Sequence, residues 1–96
     1  MEKPFNILFI TSDQHRGDCY GFEERKVKTP HLDELALEGT RFKNCITPNP
    51  VCMPSRSSML TGLLPRTHGV SDNGIDLNPN IGEKGFGRTF ANNGYK

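Results

Sequence analysis

Residues 6–12 read Asn-Ile-Leu-Phe-Ile-Thr-Ser, a continuous apolar and β-branched run near the amino terminus. A run of this kind is typical of a strand that is buried on both faces of a parallel sheet. Polar residues follow at once, beginning with Asp13 and Gln14. In open α/β sheets, ligands bind at the carboxyl ends of the strands. The run therefore predicts an α/β fold with a mainly parallel sheet, and a ligand-binding loop that starts at Asp13.

A helix and a second strand are predicted next. Thr29 is placed as an N-cap before Pro30 at the first helical position, and apolar side chains recur with helical spacing as far as Glu38. Gly39 is expected to end this helix in the left-handed conformation. Residues 41–47 alternate polar and apolar side chains, which is the pattern of a half-exposed strand.

The rest of the chain predicts two more helices. A helix of about two turns is expected over residues 55–63, with Cys52 at its N-terminus. Its apolar face is predicted to consist of Met59, Leu60 and Leu63. Residues 67–85 are rich in turn-forming residues and are expected to be irregular. A final helix is predicted from Phe86, with Gly94 stopping it.

Charge, hydropathy and cysteine spacing exclude several functional classes. The 12 basic and 11 acidic residues are interspersed, so we expect neither a nucleic-acid partner nor a membrane surface. The longest apolar run, residues 7–10, is far shorter than the roughly 20 residues of a membrane span. Three cysteines without CxxC spacing predict neither a disulfide framework nor a zinc site. No leader is recognisable, so the chain as written is expected in the cytoplasm, or in the periplasm or outside the cell if a leader was removed.

Two places in the sequence carry candidate chemistry. The Asp13 carboxylate could hold a hard divalent cation, with Gln14 as a second oxygen ligand; the alternative is that Asp13 caps a helix or turn. Cys52 lies just ahead of a helix, whose amide groups and positive end favour an anion such as a sulfate or phosphate ester. Arg56, one turn later, could pair a charged oxygen or an ionised nucleophile. The alternative is a buried Cys52 and a solvated Arg56.

The segment Cys52-Met53-Pro54-Ser55-Arg56, followed by a short helix and Thr61-Gly62, resembles the signature of the sulfatase family. Residues 6–14, 29–36 and 39–42 are similar to the opening segments of that family, in the same order. The resemblance covers nearly the whole chain. It implies that residues 1–96 are an N-terminal fragment of a single sulfatase catalytic domain with the alkaline-phosphatase-like α/β sandwich.

The resemblance also implies roles for particular residues. Cys52 would be oxidised to formylglycine by a maturation enzyme, and the aldehyde hydrate would attack the ester sulfur or phosphorus. Arg56 would support the charge of that hydrate. Asp13, Gln14 and Cys52 would hold a divalent metal ion, which is calcium or alternatively magnesium or manganese. Asn73 would contact the ester group of the substrate, the alternative being a plain turn residue. We assign His68 to local structure.

Two departures from the family pattern leave alternatives open. Many sulfatases have two consecutive acids where this chain has Asp13 and Gln14, a form that resembles the choline-sulfatase and phosphonate-monoesterase branches. A sulfate ester and a phosphonate or phosphate ester therefore both remain candidate substrates. Family members are much longer, and their remaining catalytic residues would lie beyond Lys96, so the fragment alone is expected to be inactive. The third alternative is a stand-alone binding module in which Cys52 is never oxidised.

Overall fold

The computed structural model describes residues 5–96 and contains five helices in that range. They are α1 (Pro30–Glu38), α2 (Cys52–Thr61), α3 (Pro65–His68), α4 (Pro79–Gly82) and α5 (Phe86–Asn92). The chain divides into two compact units, the N-terminal unit (Met1–Lys43) with α1 and the C-terminal unit (Asn44–Lys96) with the other four helices. Among the described residues, no helix combines the length and apolar character that crossing a bilayer requires.

Neither predicted strand forms within residues 5–96. Residues 6–12 and 41–47 have no β-ladder, so the predicted sheet is absent from this part of the chain. Leu8 and Ile10, which we expected inside a sheet, are 85% and 78% exposed. The physical reason is that a strand obtains its ladder hydrogen bonds from a neighbouring strand. The apolar pattern specifies a buried environment, but residues 5–96 supply no partner strand.

The predicted helix α1 is confirmed over Pro30–Glu38. Pro30 occupies the first turn and Thr29 is the N-cap by position, but the Thr29 side chain does not cap the helix. Its hydroxyl instead donates to Asp33 Oδ1 at 2.7 Å and accepts from the Gly21 N–H at 2.8 Å. Thr29 therefore fastens the preceding loop to the first turn of α1.

The ends of the two longest helices differ. Gly39, which follows α1, is extended (φ −110°, ψ −153°), so its predicted left-handed conformation is wrong. Its N–H still reaches the Leu35 carbonyl at 2.9 Å, and that bond closes the last turn without a left-handed residue. Gly62 ends α2 in the left-handed region (φ 70°), and its N–H donates to the Ser58 carbonyl at 2.8 Å. Glycine is favoured there because it has no Cβ to clash.

Helix α2 is the centre of the C-terminal unit and contacts α3, α4 and α5. It begins at Cys52, earlier than predicted, and its buried residues are Pro54 and Ser58. The apolar face that we predicted is wrong, since Met59 and Leu63 are 43% and 36% exposed. A serine can take the inward position because its hydroxyl is hydrogen-bonded there, which offsets the cost of burying a polar group.

The last third of the chain is more regular than predicted. Helices α3 and α4 are single turns, and they account for part of the segment that we expected to be irregular. Helix α5 is confirmed, with Phe86 and Phe90 in edge-to-face contact at 6.1 Å between ring centroids. Gly94 follows in the left-handed region (φ 84°). Gly85, just before α5, lies so close to α2 that a Cβ on it would sit 2.8 Å from the Leu60 carbonyl oxygen.

Candidate active site

Cys52 is the first residue of α2, and its side chain is exposed. The alternative in which Cys52 is a small buried hydrophobic residue is therefore wrong. Arg56 lies one helical turn further on and shares the exposed side of α2, because residues four apart in a helix are neighbours on one face. Pro54 and Ser58 lie on the opposite side and are buried. Helix α2 is thus anchored through one face and presents Cys52 and Arg56 on the other.

The first turn of α2 has fewer backbone N–H groups left to bind an anion than the sequence indicates. The Met53 N–H donates to Asn73 Oδ1 at 3.0 Å, and Pro54 has no N–H. The Cys52 N–H is then the first-turn amide without an acceptor among residues 5–96. The predicted set of amides directed at an anion is accordingly reduced to this one group, beside the positive end of the helix.

Asn73 lies in a turn that returns to the N-terminus of α2. Its backbone N–H bonds to Asp72 Oδ1 at 2.7 Å, and the next residue, Gly74, has a φ of 83°. The Gly74 N–H lies 3.1 Å from Met53 Sδ, a second contact to the residue that follows Cys52. Asn73 is therefore a turn residue, as the alternative held, and it also contacts Met53, the residue that follows Cys52. Because Oδ1 accepts from Met53, the amide NH₂ of Asn73 is the group that remains to donate to a bound ester.

Two residues that support this arrangement have no role in the sequence analysis beyond local structure. His68 is 2% exposed, and its Nε2 lies 2.9 Å from Ser58 Oγ. Thr47 Oγ1 donates to the Asn49 carbonyl at 2.8 Å, so the Ser55 hydroxyl, also at 2.8 Å, donates to Thr47. His68 thus braces α2 from the inside, and Thr47 fixes the segment that leads to Cys52. No local pattern identifies either pair, since the partners are far apart in sequence.

Asp13 and Gln14 belong to the N-terminal unit, where both are exposed in a bend. Gln14 has a φ of 48° and is the non-glycine residue with positive φ within residues 5–96. This left-handed conformation is unfavourable for a residue with a Cβ, and such residues cluster at ligand-binding loops. Their carboxylate and amide oxygens are the donors that hard divalent cations prefer. Residues 5–96 contain no group of three or more His, Cys, Asp or Glu side chains that could hold a metal ion.

The loop after Gln14 is supported by a stack of side chains. The His15 and Tyr20 rings are stacked with centroids 4.5 Å apart, and the Tyr20 and Phe22 rings follow at 5.1 Å. The Arg41 guanidinium lies over the Phe22 ring at 4.4 Å. We call these four residues the aromatic column. It joins the residue next to Gln14 to the segment after α1, and stacked rings of this kind are mutually attractive.

Asp18, the next carboxylate after Asp13, is committed to two arginines. Arg16 bonds to both of its oxygens, with Nε at 3.0 Å from Oδ1, and Arg25 Nε lies 2.6 Å from Oδ2. These hydrogen bonds, first from Arg16 and then from Arg25, hold the pKa of the Asp18 carboxyl well below its usual range. In turn, the pKa of Arg16 is raised, chiefly by its hydrogen bond to Asp18. With its oxygens occupied by guanidinium groups, Asp18 is poorly placed to serve as a second metal ligand.

Sequence similarity relates this chain to one family of known proteins. The family model described as Sulfatase matches residues 5–96. An ulvan-active sulfatase of Formosa agariphila is 47% identical over 73 residues, which cover 75% of this chain and 14% of that protein. An arylsulfatase of Clostridium perfringens is 46% identical over 65 residues, or 67% of this chain and 14% of that protein. An N-acetylglucosamine-6-O-sulfatase of Bacteroides thetaiotaomicron is 38% identical over 76 residues, or 76% of this chain and 13% of that protein.

The relatives just named are sulfatases, a class of hydrolases that act on ester bonds. The match over residues 5–96 makes the assignment specific: the chain belongs to the sulfatase family. Membership implies the alkaline-phosphatase-like α/β fold, and sulfatases generally use formylglycine and a divalent metal ion. The chain spans only about one seventh of the length of the relatives just named, at 13% to 14%. No solved structure matches it.

Proposed function

We propose that the whole protein hydrolyses sulfate esters, with position 52 as the nucleophile after conversion to formylglycine. The observation that carries this proposal is the grouping in the C-terminal unit: Cys52 and Arg56 share the exposed face of α2, and Asn73 is bonded to the amide of Met53. The names of the relatives, an arylsulfatase among them, support the same reaction class. The match over residues 5–96 also favours an enzyme over a stand-alone binding module.

Each residue of the group has a distinct role in this proposal. One hydroxyl of the formylglycine hydrate at position 52 would attack the ester sulfur, and the bond from sulfur to the alcohol oxygen would break, so that the alcohol leaves with the proton of that hydroxyl. The second hydroxyl would then lose its proton, and sulfate would leave as its bond to the carbon breaks and the aldehyde is restored. Arg56 offers a planar set of donors to the negative oxygens on the same face of α2. The amide NH₂ of Asn73 and the N–H of residue 52 donate to oxygens of the ester, so that its sulfur faces the nucleophile.

The loop of Asp13 and Gln14 fits a divalent cation by the chemistry of its donors, and calcium, or alternatively magnesium or manganese, is the proposed ion. Asp13 and Gln14 would contribute oxygens and residue 52 a further ligand, with the other ligands supplied by the rest of the protein. When bound, such an ion polarises the ester and favours the ionised nucleophile. The left-handed backbone of Gln14 supports this proposal, because it is an unfavourable conformation at the residue that would direct the amide oxygen.

The parallel sheet is also part of the proposal. Residues 6–12 would form a strand of that sheet in the whole protein, with its partner strands contributed by other parts of the chain. The support is the exposure of Leu8 and Ile10 within residues 5–96, since large apolar side chains grouped on a surface mark a face that another element covers.

The test is to express the whole protein with a formylglycine-generating enzyme and to analyse the tryptic peptide that contains Cys52. Conversion of the thiol to the aldehyde lowers the mass by roughly 18 Da. The matured protein should hydrolyse an aryl sulfate, and Cys52→Ala should reduce kcat/KM by about a thousandfold or more. Cys45→Ala is the matched control, because Cys45 is an exposed cysteine of the same unit, and should leave the rate unchanged. An unmodified thiol at position 52, under conditions that convert a known sulfatase, would contradict the proposal.

Hydrolysis of phosphonate monoesters or phosphodiesters is the second candidate. The observation that favours it is Gln14, a neutral amide side chain where many sulfatases have an acid. Paired assays of an aryl sulfate and an aryl phosphonate with the same leaving group separate the candidates. A higher kcat/KM for the phosphonate would make the second candidate the main activity.

A further inference from the structure

A buried set of hydrogen bonds connects α2 to the segment that follows α3. His68 Nε2 lies 2.9 Å from Ser58 Oγ, and His68 Nδ1 accepts from the Val70 N–H at 3.1 Å. All three residues are buried, and Val70 is fully so. Side chains of residues ten apart in sequence are thus joined inside the C-terminal unit.

The two bonds define the protonation state of the imidazole. Nδ1 accepts a hydrogen bond from a backbone N–H, so it carries no proton. The ring proton is therefore on Nε2, which donates to the Ser58 hydroxyl. A leucine at position 68 would fill the space but would leave a buried hydroxyl and a buried N–H without their partner, which is costly.

The segment after Val70 leads directly to the candidate site. Three residues beyond Val70, Asn73 Oδ1 accepts from the Met53 N–H at 3.0 Å, and the Gly74 N–H reaches Met53 Sδ. Met53 and Ser58 lie on the same helix, separated by about 7.5 Å of axial rise. The loop between Val70 and Gly74 is therefore attached to α2 twice, at its start through His68 and at its end through Met53.

We propose that His68 is the positioning residue that holds Asn73 against the Cys52 end of α2. It fixes Val70 relative to Ser58, and the short connection that follows leaves Asn73 little freedom. His68 acts only through these neighbours, because it is buried on the inward side of α2 while Cys52 is exposed on the other. The kinetic part of this inference rests on the proposed sulfatase function, whereas the placement of Asn73 can be tested without any activity.

The first experiment measures how firmly Asn73 is held against Met53. In the whole protein, hydrogen exchange at the Met53 amide should accelerate at least tenfold in His68→Leu, because the bond to Asn73 opens more often. His68→Asn retains an acceptor close to the Nδ1 position and should restore slow exchange, whereas His68→Gln retains only the donor to Ser58 and should not. His31→Leu, at an exposed histidine of α1, is the control. Unchanged exchange at Met53 in both His68→Leu and His68→Gln would overturn the inference.

The second experiment is a double-mutant cycle on matured protein, with rates normalised to the formylglycine content and the folded fraction. His68→Leu should lower kcat/KM for an aryl sulfate by about 10- to 100-fold, as the loss of residues that orient an active site does. In an Asn73→Ala background the same change should have almost no further effect, since the residue that it positions is gone. A merely structural role would give the same loss in both backgrounds, and that result would overturn the inference.

The two experiments separate this inference from the proposed function. If the matured wild-type protein hydrolyses neither ester, the proposed function fails, and exchange at Met53 alone decides the role of His68. If His68→Leu does not fold, His68→Gln takes its place in both experiments, because it keeps the buried bond to Ser58 and removes only the bond to Val70.

Discussion

The two units support their candidate site residues in different ways. In the C-terminal unit, Pro54 and Ser58 are buried on the inner face of the helix that carries Cys52, and His68 and Val70 are buried in the segment that follows. In residues 5–43 of the N-terminal unit no residue is buried, and the loop after Gln14 is held by exposed ion pairs and by the aromatic column. Breaking a buried hydrogen bond is costly because it leaves an unpaired polar group away from water. Exposed ion pairs contribute little to stability, and salt screens them. The helix that carries Cys52 is therefore held by stronger contacts than the loop that contains Asp13 and Gln14.

The largest expected effect is the destabilisation of the C-terminal unit by a substitution at Gly85. A Cβ there would meet the Leu60 carbonyl, a backbone atom that cannot move aside easily, so Gly85→Ala should destabilise α2 and α5 locally by about 1–3 kcal/mol. A Cβ on Gly87, inside α5, would have open space around it, so Gly87→Ala should instead stabilise α5 by about 0.4–1 kcal/mol. Hydrogen exchange of the α5 amides in the whole protein measures both changes. Equal effects of the two substitutions would show that close packing at Gly85 is unimportant.

A smaller effect is expected in the aromatic column of the N-terminal unit. Tyr20 stacks on His15 at one side and on Phe22 at the other, so Tyr20→Leu removes both contacts. We expect a loss of about 0.5–1.5 kcal/mol in the local free energy of opening, the usual contribution of aromatic pairs. Phe42→Leu, at an exposed ring of the same unit, should have almost no effect. Exchange of the amides of residues 15–23 is the measurement, and a similar loss in both variants would argue against the column.

The smallest effect concerns the charges around Asp18. Because the pKa of its carboxyl is lowered, mainly by the hydrogen bond from Arg16, the ion pairs should be fully present above about pH 4 and be lost only as pH falls through that lowered pKa. The ¹³C shift of the Asp18 carboxyl should show it still ionised at about pH 3. Arg16→Gln should raise the pKa of Asp18 more than Arg25→Gln does. A titration near the ordinary pKa of aspartate would mean that the pairs do not persist in solution.

The sequence predicted the helices that are specified locally. Helix α1 has the predicted bounds because Pro30 fixes its first turn and the apolar spacing runs without interruption to Glu38. The strands failed because a ladder needs a partner that a local pattern does not contain. The buried face of α2 was also assigned wrongly, since Ser58 is buried through a hydrogen bond that hydropathy does not register.

In the candidate site, too, the local sequence predicted the features that it specifies, but not those that depend on distant residues. The sequence predicted Cys52 at the N-terminus of a helix with Arg56 one turn later, and α2 has that arrangement. The partners of these residues come from elsewhere in the chain: Asn73 bonds to Met53 across 20 residues, and His68 to Ser58 across ten. The positive φ of Gln14 was not predictable either, because glutamine has no preference for that conformation.

The division of α2 into two faces has a consequence for how this protein tolerates change. Cys52, Arg56 and Met59 point to solvent at positions one and two turns apart, while Pro54 and Ser58 face the interior. Of these three, Met59 has no proposed role in the chemistry, and its substitution should leave the packing of the unit intact because its side chain is 43% exposed. A change of Met59 should therefore be tolerated by the fold, whereas a change of Ser58 on the inner row would have to be matched by a second change in its partner His68.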